Sequence, residues 1–224
     1  MLFFDSYSPK MRKTDITDFR RWLEIAAVVS TGVMKYIFMD WLNLRVFYIG
    51  AASLLWAVYI YKRYRENPLI LREWGFRYEN LKPSFLFILP FTLSIITAII
   101  LYGYYSHAIF LNWHVIPVLA IYPVWGIVQQ FLTLALVAGN LLAITSVKPN
   151  KNQIILFISV LFALVHYPSL PLIIFTFFME MVFAIAYFRW RNLWPLALCH
   201  GWVASLLLFF VLGRDLWDEL WPIF

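Results

Sequence analysis

The chain has 224 residues, of which 63% are hydrophobic and 13% are charged. Soluble domains are about 45–50% apolar and about 25% charged, and a domain of this length has too little interior to bury so much apolar surface. The formal net charge of +6 comes from bases in loops between apolar runs rather than on one face, which excludes a nucleic-acid-binding protein. The chain is therefore predicted to be an all-α, multi-pass membrane protein whose main partner is the lipid bilayer.

Seven apolar runs are candidates for membrane-spanning helices, each of which needs about 20 mainly apolar residues. The first carries Glu24, Lys35 and Asp40 and could instead lie along the membrane interface. The fourth run continues to Val147, too long for one upright span, so it must tilt, kink or project into water. The fold predicted from these runs is a transmembrane helical bundle of about seven spans, and the single domain 1–224 is the economical organisation. The predicted spans are 22–42, 46–61, 85–105, 114–136, 154–168, 170–188 and 193–213.

Basic residues predict the orientation of these spans. Cytoplasmic loops of membrane proteins carry an excess of Lys and Arg, and base-rich and base-poor loops alternate here at every predicted crossing. We expect a protein of the cytoplasmic membrane, with its N-terminus in the cytoplasm and its C-terminus outside. The bases on the expected cytoplasmic side are Lys10, Arg12, Lys13, Arg20 and Arg21 before the first span, six more in the 62–84 loop, Lys148 and Lys151, and Arg189 and Arg191.

A few polar side chains fall inside the later apolar runs. Such residues are costly at membrane depth, so each is a functional-site hypothesis, the alternative being a hydrogen bond that only joins neighbouring helices. Phe162 and His166 are four residues apart and share one helix face. Cys199 and His200 are about 100° apart on a helix, which argues against a Cys–His nucleophile pair. The candidates are Gln129, Gln130, His166, Glu180 and His200, with His114 near a span end.

Three stretches containing these residues carry a family resemblance. They read WGIVQQFLTL (125–134), LFALVHYPS (161–169) and LWPLALCHGWVAS (193–205). In this order they resemble the CPBP family of Abi-type intramembrane proteases, which includes CAAX prenyl endopeptidases and bacteriocin-processing proteins. The family pattern is EExxxR, then FxxxH, then HxxxN or HxxxD, and the matching residues are Phe162, His166 and His200. The resemblance covers residues 70–213 and implies a CAAX-protease-like core there.

The same comparison exposes three departures from the family pattern. The glutamate pair is replaced by Gln129 and Gln130, the arginine by Leu134 and the asparagine by Ala204. In a family site, a carboxylate would take a proton from water while the imidazoles orient that water or stabilise the oxyanion. A glutamine amide is no useful proton acceptor, and losing a general base costs about 10²–10⁴-fold in rate.

Glu180 is the one carboxylate in these later spans that could replace the lost base. At mid-span it could equally be protonated and inert, or paired with a histidine. We expect no cofactor. A metal is possible but unsupported, because two histidines without a carboxylate make a poor zinc site.

Three functional hypotheses follow from the sequence, two of them from the resemblance. The first is an intramembrane endopeptidase, with hydrolysis impaired by the Gln129–Gln130 pair, acting on a membrane-associated peptide or protein substrate. The second is a non-catalytic scaffold or chaperone of the same fold, that is, a pseudoprotease. The third, from outside the family, is a small transporter or channel subunit.

Overall fold

The computed structural model describes residues 16–109 and 111–220, and the described part of the chain consists of helices and their connections without a strand. The first four helices are α1 (Asp18–Lys35), which continues as π-helical turns over Tyr36–Trp41, α2 (Arg45–Glu66), α3 (Ile70–Trp74) and α4 (Leu81–Tyr105). Then follow α5 (Val115–Gln130), π-helical turns over Phe131–Ala138, and α6 (Gly139–Ala143). The last four are α7 (Lys151–Leu164), α8 (Leu170–Trp190), α9 (Trp194–Phe210) and α10 (Leu216–Leu220). The all-helical prediction is confirmed.

Among the residues that the structure describes, four helical stretches are long and apolar enough to cross a membrane: Asp18–Trp41, Leu81–Tyr105, Val115–Ala143 and Leu170–Trp190. Together with large apolar side chains that stay exposed, such as Ile116 at 74% and Leu55 at 70%, they indicate an integral membrane protein.

The predicted count of seven spans is not confirmed. Every predicted span has a helix, but the uncharged part of α2 covers only residues 46–61, with charged residues at both ends of the helix. The apolar helices α7 and α9 are shorter, with 14 and 17 residues. The orientation stays a prediction, and Lys10, Arg12 and Lys13 lie outside the described residues.

The chain divides into two compact units, the first comprising residues 1–76 and 131–191. In this unit α7 packs along α8, and α1 packs on the segment 131–143. The α7 helix begins at a capping box, in which the side chain of Asn150 accepts from the Gln153 backbone N–H and the Gln153 side chain accepts from the Asn150 N–H. Such reciprocal caps satisfy donors that a helix start leaves unpaired.

Glu24 holds the first helix of this unit in place. Its carboxylate is only 6% exposed and accepts hydrogen bonds from the Tyr59 hydroxyl and from Asn140 Nδ2, the latter at 2.6 Å. The guanidinium of Arg63, itself 3% exposed, lies 3.6 Å away. The charge of Glu24, which counted against the first predicted span, is therefore neutralised inside the protein. The helical stretch that contains Glu24 qualifies as a span.

The second unit comprises residues 77–130 and 192–224. Here α9 packs against both α4 and α5. Asn192, which is fully buried, donates from Nδ2 to the carbonyls of Arg77 at 2.8 Å and Glu79 at 3.0 Å, and its Oδ1 accepts from the Trp194 backbone N–H. One amide thereby joins the start of α9 to the segment that leads into α4. The prediction of a single domain 1–224 stays a prediction.

The fourth apolar run is continuously helical from Val115 to Ala143, a stretch of 29 residues. It changes from α to π geometry immediately after Gln130 and returns to α geometry at Gly139. At about 1.5 Å per residue the stretch is some 40 Å long, longer than the roughly 30 Å hydrocarbon core. π-helical turns are often found at functional sites, and here they begin beside a candidate site residue.

Candidate functional site

The clearest polar contact among the predicted site residues joins α5 to α9. Gln130 is the last residue of α5 and His200 lies in the first half of α9, and their side chains are 0% and 2% exposed. The amide Nε2 of Gln130 lies 3.1 Å from Nδ1 of His200. A hydrogen bond between two side chains shielded from water is strengthened by its low-dielectric surroundings. The Gln130–His200 pair therefore connects α5 and α9 within the second unit.

The atoms of this contact define the roles of its two partners. With the Gln130 amide nitrogen as donor, Nδ1 of the neutral His200 ring is the acceptor. A carboxylate at position 130 would reverse the arrangement, because an ionised carboxylate only accepts hydrogen bonds.

A close crossing of α5 and α9 sets the geometry of the pair. A Cβ atom placed on Gly126 would lie 2.5 Å from the carbonyl oxygen of Ala197, and one placed on Gly201 would lie 2.5 Å from the Pro123 Cα. Only glycine fits at these two points, since the neighbouring atoms belong to the backbone. Gly126 precedes Gln130 by one turn and Gly201 follows His200 directly, so the contact that allows the crossing also fixes the hydrogen-bonding pair.

His166 is held in a different way, at the turn between α7 and α8 in the first unit. Its Nδ1 lies 2.8 Å from the carbonyl oxygen of Phe162 and 3.4 Å from the hydroxyl oxygen of Thr176. Because a carbonyl only accepts, Nδ1 carries the proton and Nε2 carries the lone pair. The Phe162 ring packs against the imidazole with centroids 5.1 Å apart. The second nitrogen of His166 is therefore an acceptor.

Glu180 lies on the buried side of α8 with 0% exposure. It follows Thr176 by four residues, so the two side chains lie on the same face of the helix, about 6 Å apart along its axis. Thr176 is the residue of α8 that contacts His166. The helix face carrying Glu180 is therefore the face that meets the histidine turn.

The candidate residues form two groups. Gln129, Gln130 and His200 belong to the second unit, whereas Phe162, His166 and Glu180 belong to the first. Gln129 is partly buried, one residue before the hydrogen-bonded amide. The convergence of the two groups into one site stays a prediction, as do the roles of the individual residues.

Several residues that organise these groups were missed by sequence reasoning. Thr176 lies in an apolar helix with nothing in its spacing to single it out. Gly126 and Gly201 had a signal, since glycine within an apolar membrane helix is typical of close helix approach. At the family's arginine position, Leu134 is completely buried with 0% exposure, so an apolar side chain fills that place.

Comparison with known proteins gives one match. The family model described as type II CAAX prenyl endopeptidase Rce1-like matches residues 113–206. Neither a curated protein nor a solved structure matches the chain. The matched segment begins one residue before His114 and ends one residue after the stretch 193–205. It includes all the candidate residues.

Proposed function

Because residues 113–206 of this chain belong to the Rce1-like family of type II CAAX prenyl endopeptidases, we propose that it is a CAAX-protease-like membrane protein with strongly impaired peptide hydrolysis. In this proposal it binds a membrane-associated peptide or protein without cutting it. The resemblance of the sequence to the CPBP family agrees with the family match, and the fold it implies is a helical membrane fold.

The observation that carries this proposal is the hydrogen bond between Gln130 and His200. In the family pattern a carboxylate occupies position 130 and would serve as the general base. The amide keeps the contact with the imidazole but cannot take a proton, and a general base contributes about 10²–10⁴ to the rate. The pair supports the proposal, because it joins two positions of the family pattern through an amide that cannot act as a proton acceptor.

The remaining polar groups are compatible with binding. His166 holds an acceptor nitrogen at Nε2, because its Nδ1 donates to the Phe162 carbonyl. Away from water, such a group gives orientation and specificity to a bound chain.

A second candidate function, residual hydrolysis, is favoured by one observation. Glu180 lies on the face of α8 whose Thr176 contacts His166. A carboxylate on that face supports Glu180 as the alternative base of this second candidate function.

The test compares peptide cleavage in detergent by the unmodified protein and by the double variant Gln129→Glu/Gln130→Glu. Prenylated and unprenylated CAAX peptides are the substrates, with an active CAAX endopeptidase as the positive control. We expect no detectable cleavage by the unmodified protein and a rate at least about 10²-fold higher in the double variant, the lower bound for a restored base. Adding His166→Ala to the double variant should abolish that gain, whereas adding His107→Ala should not.

Two other outcomes of the cleavage assay would change the conclusion. If the unmodified protein cleaves the peptide and His166→Ala does not, the proposal of impaired hydrolysis is contradicted. If Glu180→Gln also abolishes this cleavage, the second candidate function holds. The binding part of the proposal is tested separately by photo-crosslinking of the prenylated peptide to the unmodified protein. Absence of saturable crosslinking contradicts the scaffold function even if every variant is inactive in the cleavage assay.

A further inference from the structure

A second cluster of chemistry-bearing side chains lies at one end of the second unit, outside the groups described above. His114 immediately precedes α5, while Asp215 and Asp218 lie at the start of α10. One ligand atom of each residue lies within 4.8 Å of those of the other two. Chain segments about a hundred residues apart in sequence are thus joined by an imidazole and two carboxylates.

The cluster is held in place by aromatic and amide neighbours. The His114 ring lies 4.4 Å from the Trp113 ring and 6.0 Å from that of Trp217, which is nearly parallel to it. Asn112 donates from Nδ2 to Asp215 Oδ2 at 2.7 Å. The imidazole is only partly exposed and its Nδ1 points at the carboxylates. Outer partners of this kind fix ligand orientation in metal sites.

We propose that His114, Asp215 and Asp218 form a binding site for a divalent transition metal, with zinc as the best match. Zinc is bound in proteins by imidazole nitrogen and carboxylate oxygen at about 2.0–2.2 Å, and three protein ligands with water in the fourth position are a common set. The site would link the start of α5 to α10. It is separate from the groups of Gln130 and His166, and it does not depend on the proposed function.

The distances fit a metal after small adjustments. Tetrahedral bonds of about 2.0–2.2 Å place neighbouring ligand atoms some 3.4 Å apart. His114 Nδ1 is now 2.6 Å from Asp215 Oδ2 and 3.7 Å from Asp218 Oδ1, so each of these two distances must change by less than about 1 Å. Asp218 is exposed at 70%, and its side chain can rotate without disturbing packed neighbours.

The test measures metal binding by the full-length protein in detergent after removal of bound metal with a chelator. Zinc is titrated against a chromogenic competitor, and Co²⁺ serves as a probe whose visible absorption reports tetrahedral coordination. We expect one zinc per chain in the unmodified protein, with binding lost in His114→Ala and Asp218→Asn. Asn112→Ala, which removes an outer partner, should weaken the affinity by about tenfold.

Two control variants separate this site from binding elsewhere. His107→Ala removes a histidine of the same connecting segment, and Glu219→Gln removes a carboxylate that pairs with Arg214 instead. Both should bind zinc like the unmodified protein. Zinc should also raise the unfolding temperature of the unmodified protein and of the controls, but not that of His114→Ala or Asp218→Asn.

Two results would overturn the proposal. One is the absence of stoichiometric zinc binding by the unmodified protein. The other is zinc binding that survives unchanged in both ligand variants, which would assign the metal to other residues and leave the cluster as a helix cap at Asp215. Because the Asp218 side chain is exposed and makes no capping bond to α10, Asp218→Asn should fold even if His114→Ala does not.

Discussion

Replacing Gly201 by alanine tests whether the close crossing of α5 and α9 holds the buried amide–imidazole pair together. The new Cβ would lie 2.5 Å from both the Cα and the N of Pro123. Carbon atoms in contact are about 3.5 Å apart, so the two helices must separate by about 1 Å. Since the clashing atoms are backbone, no side chain can rotate away to relieve the contact.

The separation has two measurable consequences. Overpacking of this kind costs about 1–3 kcal/mol, and we expect the upper end because both clashing atoms belong to a helix backbone. The Gln130–His200 distance of 3.1 Å would grow to about 4 Å, beyond hydrogen-bonding range. Unfolding in mixed detergent micelles measures the first effect. ¹⁵N-histidine NMR measures the second, as a shift of the His200 Nδ1 resonance toward that of a free imidazole.

Gly50→Ala is the matched control, because the added Cβ would have nothing within 4 Å of it. Alanine is favoured over glycine inside a helix by about 0.5–1 kcal/mol, so this variant should be as stable as the unmodified protein or slightly more stable. If Gly201→Ala unfolds like Gly50→Ala and keeps the His200 signal unchanged, the reasoning about the crossing is refuted.

Two further substitutions test the buried networks. Glu24→Ala removes the buried carboxylate of the Arg63 guanidinium and leaves that cation only the exposed Glu66, 3.7 Å away, so it should cost about 3–5 kcal/mol. Glu66→Ala removes a carboxylate of the same network that is exposed at 39%, and should cost at most about 1 kcal/mol. Equal losses in unfolding free energy would show that burial does not determine the effect. Asn192→Ala removes the donor for two backbone carbonyls and should cost about 2 kcal/mol. The control is Asn152→Ala at an exposed position, which should have the same unfolding free energy as the unmodified protein. If Asn192→Ala also leaves the unfolding free energy unchanged, the hydrogen bonds of Asn192 do not hold α9 in place.

The positions of the helices could be predicted because each apolar run is bounded by charged or turn-forming residues. α4 was predicted at 85–105 and is found at Leu81–Tyr105, and α8 was predicted at 170–188 and is found at Leu170–Trp190. The number of spans could not be predicted from apolar runs in this way. The charges at both ends of α2 and the shortness of α7 and α9 leave four stretches, within the described part of the chain, that qualify by length and composition.

The side-chain contacts of the candidate site were harder to predict from the sequence than the helices. Spacing identified both Gln129 and Gln130 as candidates, but which amide reaches His200 depends on how α5 is rotated against α9. That rotation is set by contacts at Gly126 and Gly201 that involve backbone atoms. The role of Thr176 depends on the turn after α7, which places His166 next to α8. Local sequence carries little information about either arrangement.

The helical stretch Val115–Ala143 has a consequence for insertions and deletions. Residues 131–138 form wider turns than the α-helical segments on either side. Removing one residue there would favour ordinary α-helical turns, and each α-helical residue turns the chain by about 100°. The residues after the deletion would then face a different direction from their present neighbours. A single-codon loss between positions 131 and 138 should therefore be far more damaging than one in the exposed connection at 145–149, even though both leave the hydropathy profile almost unchanged.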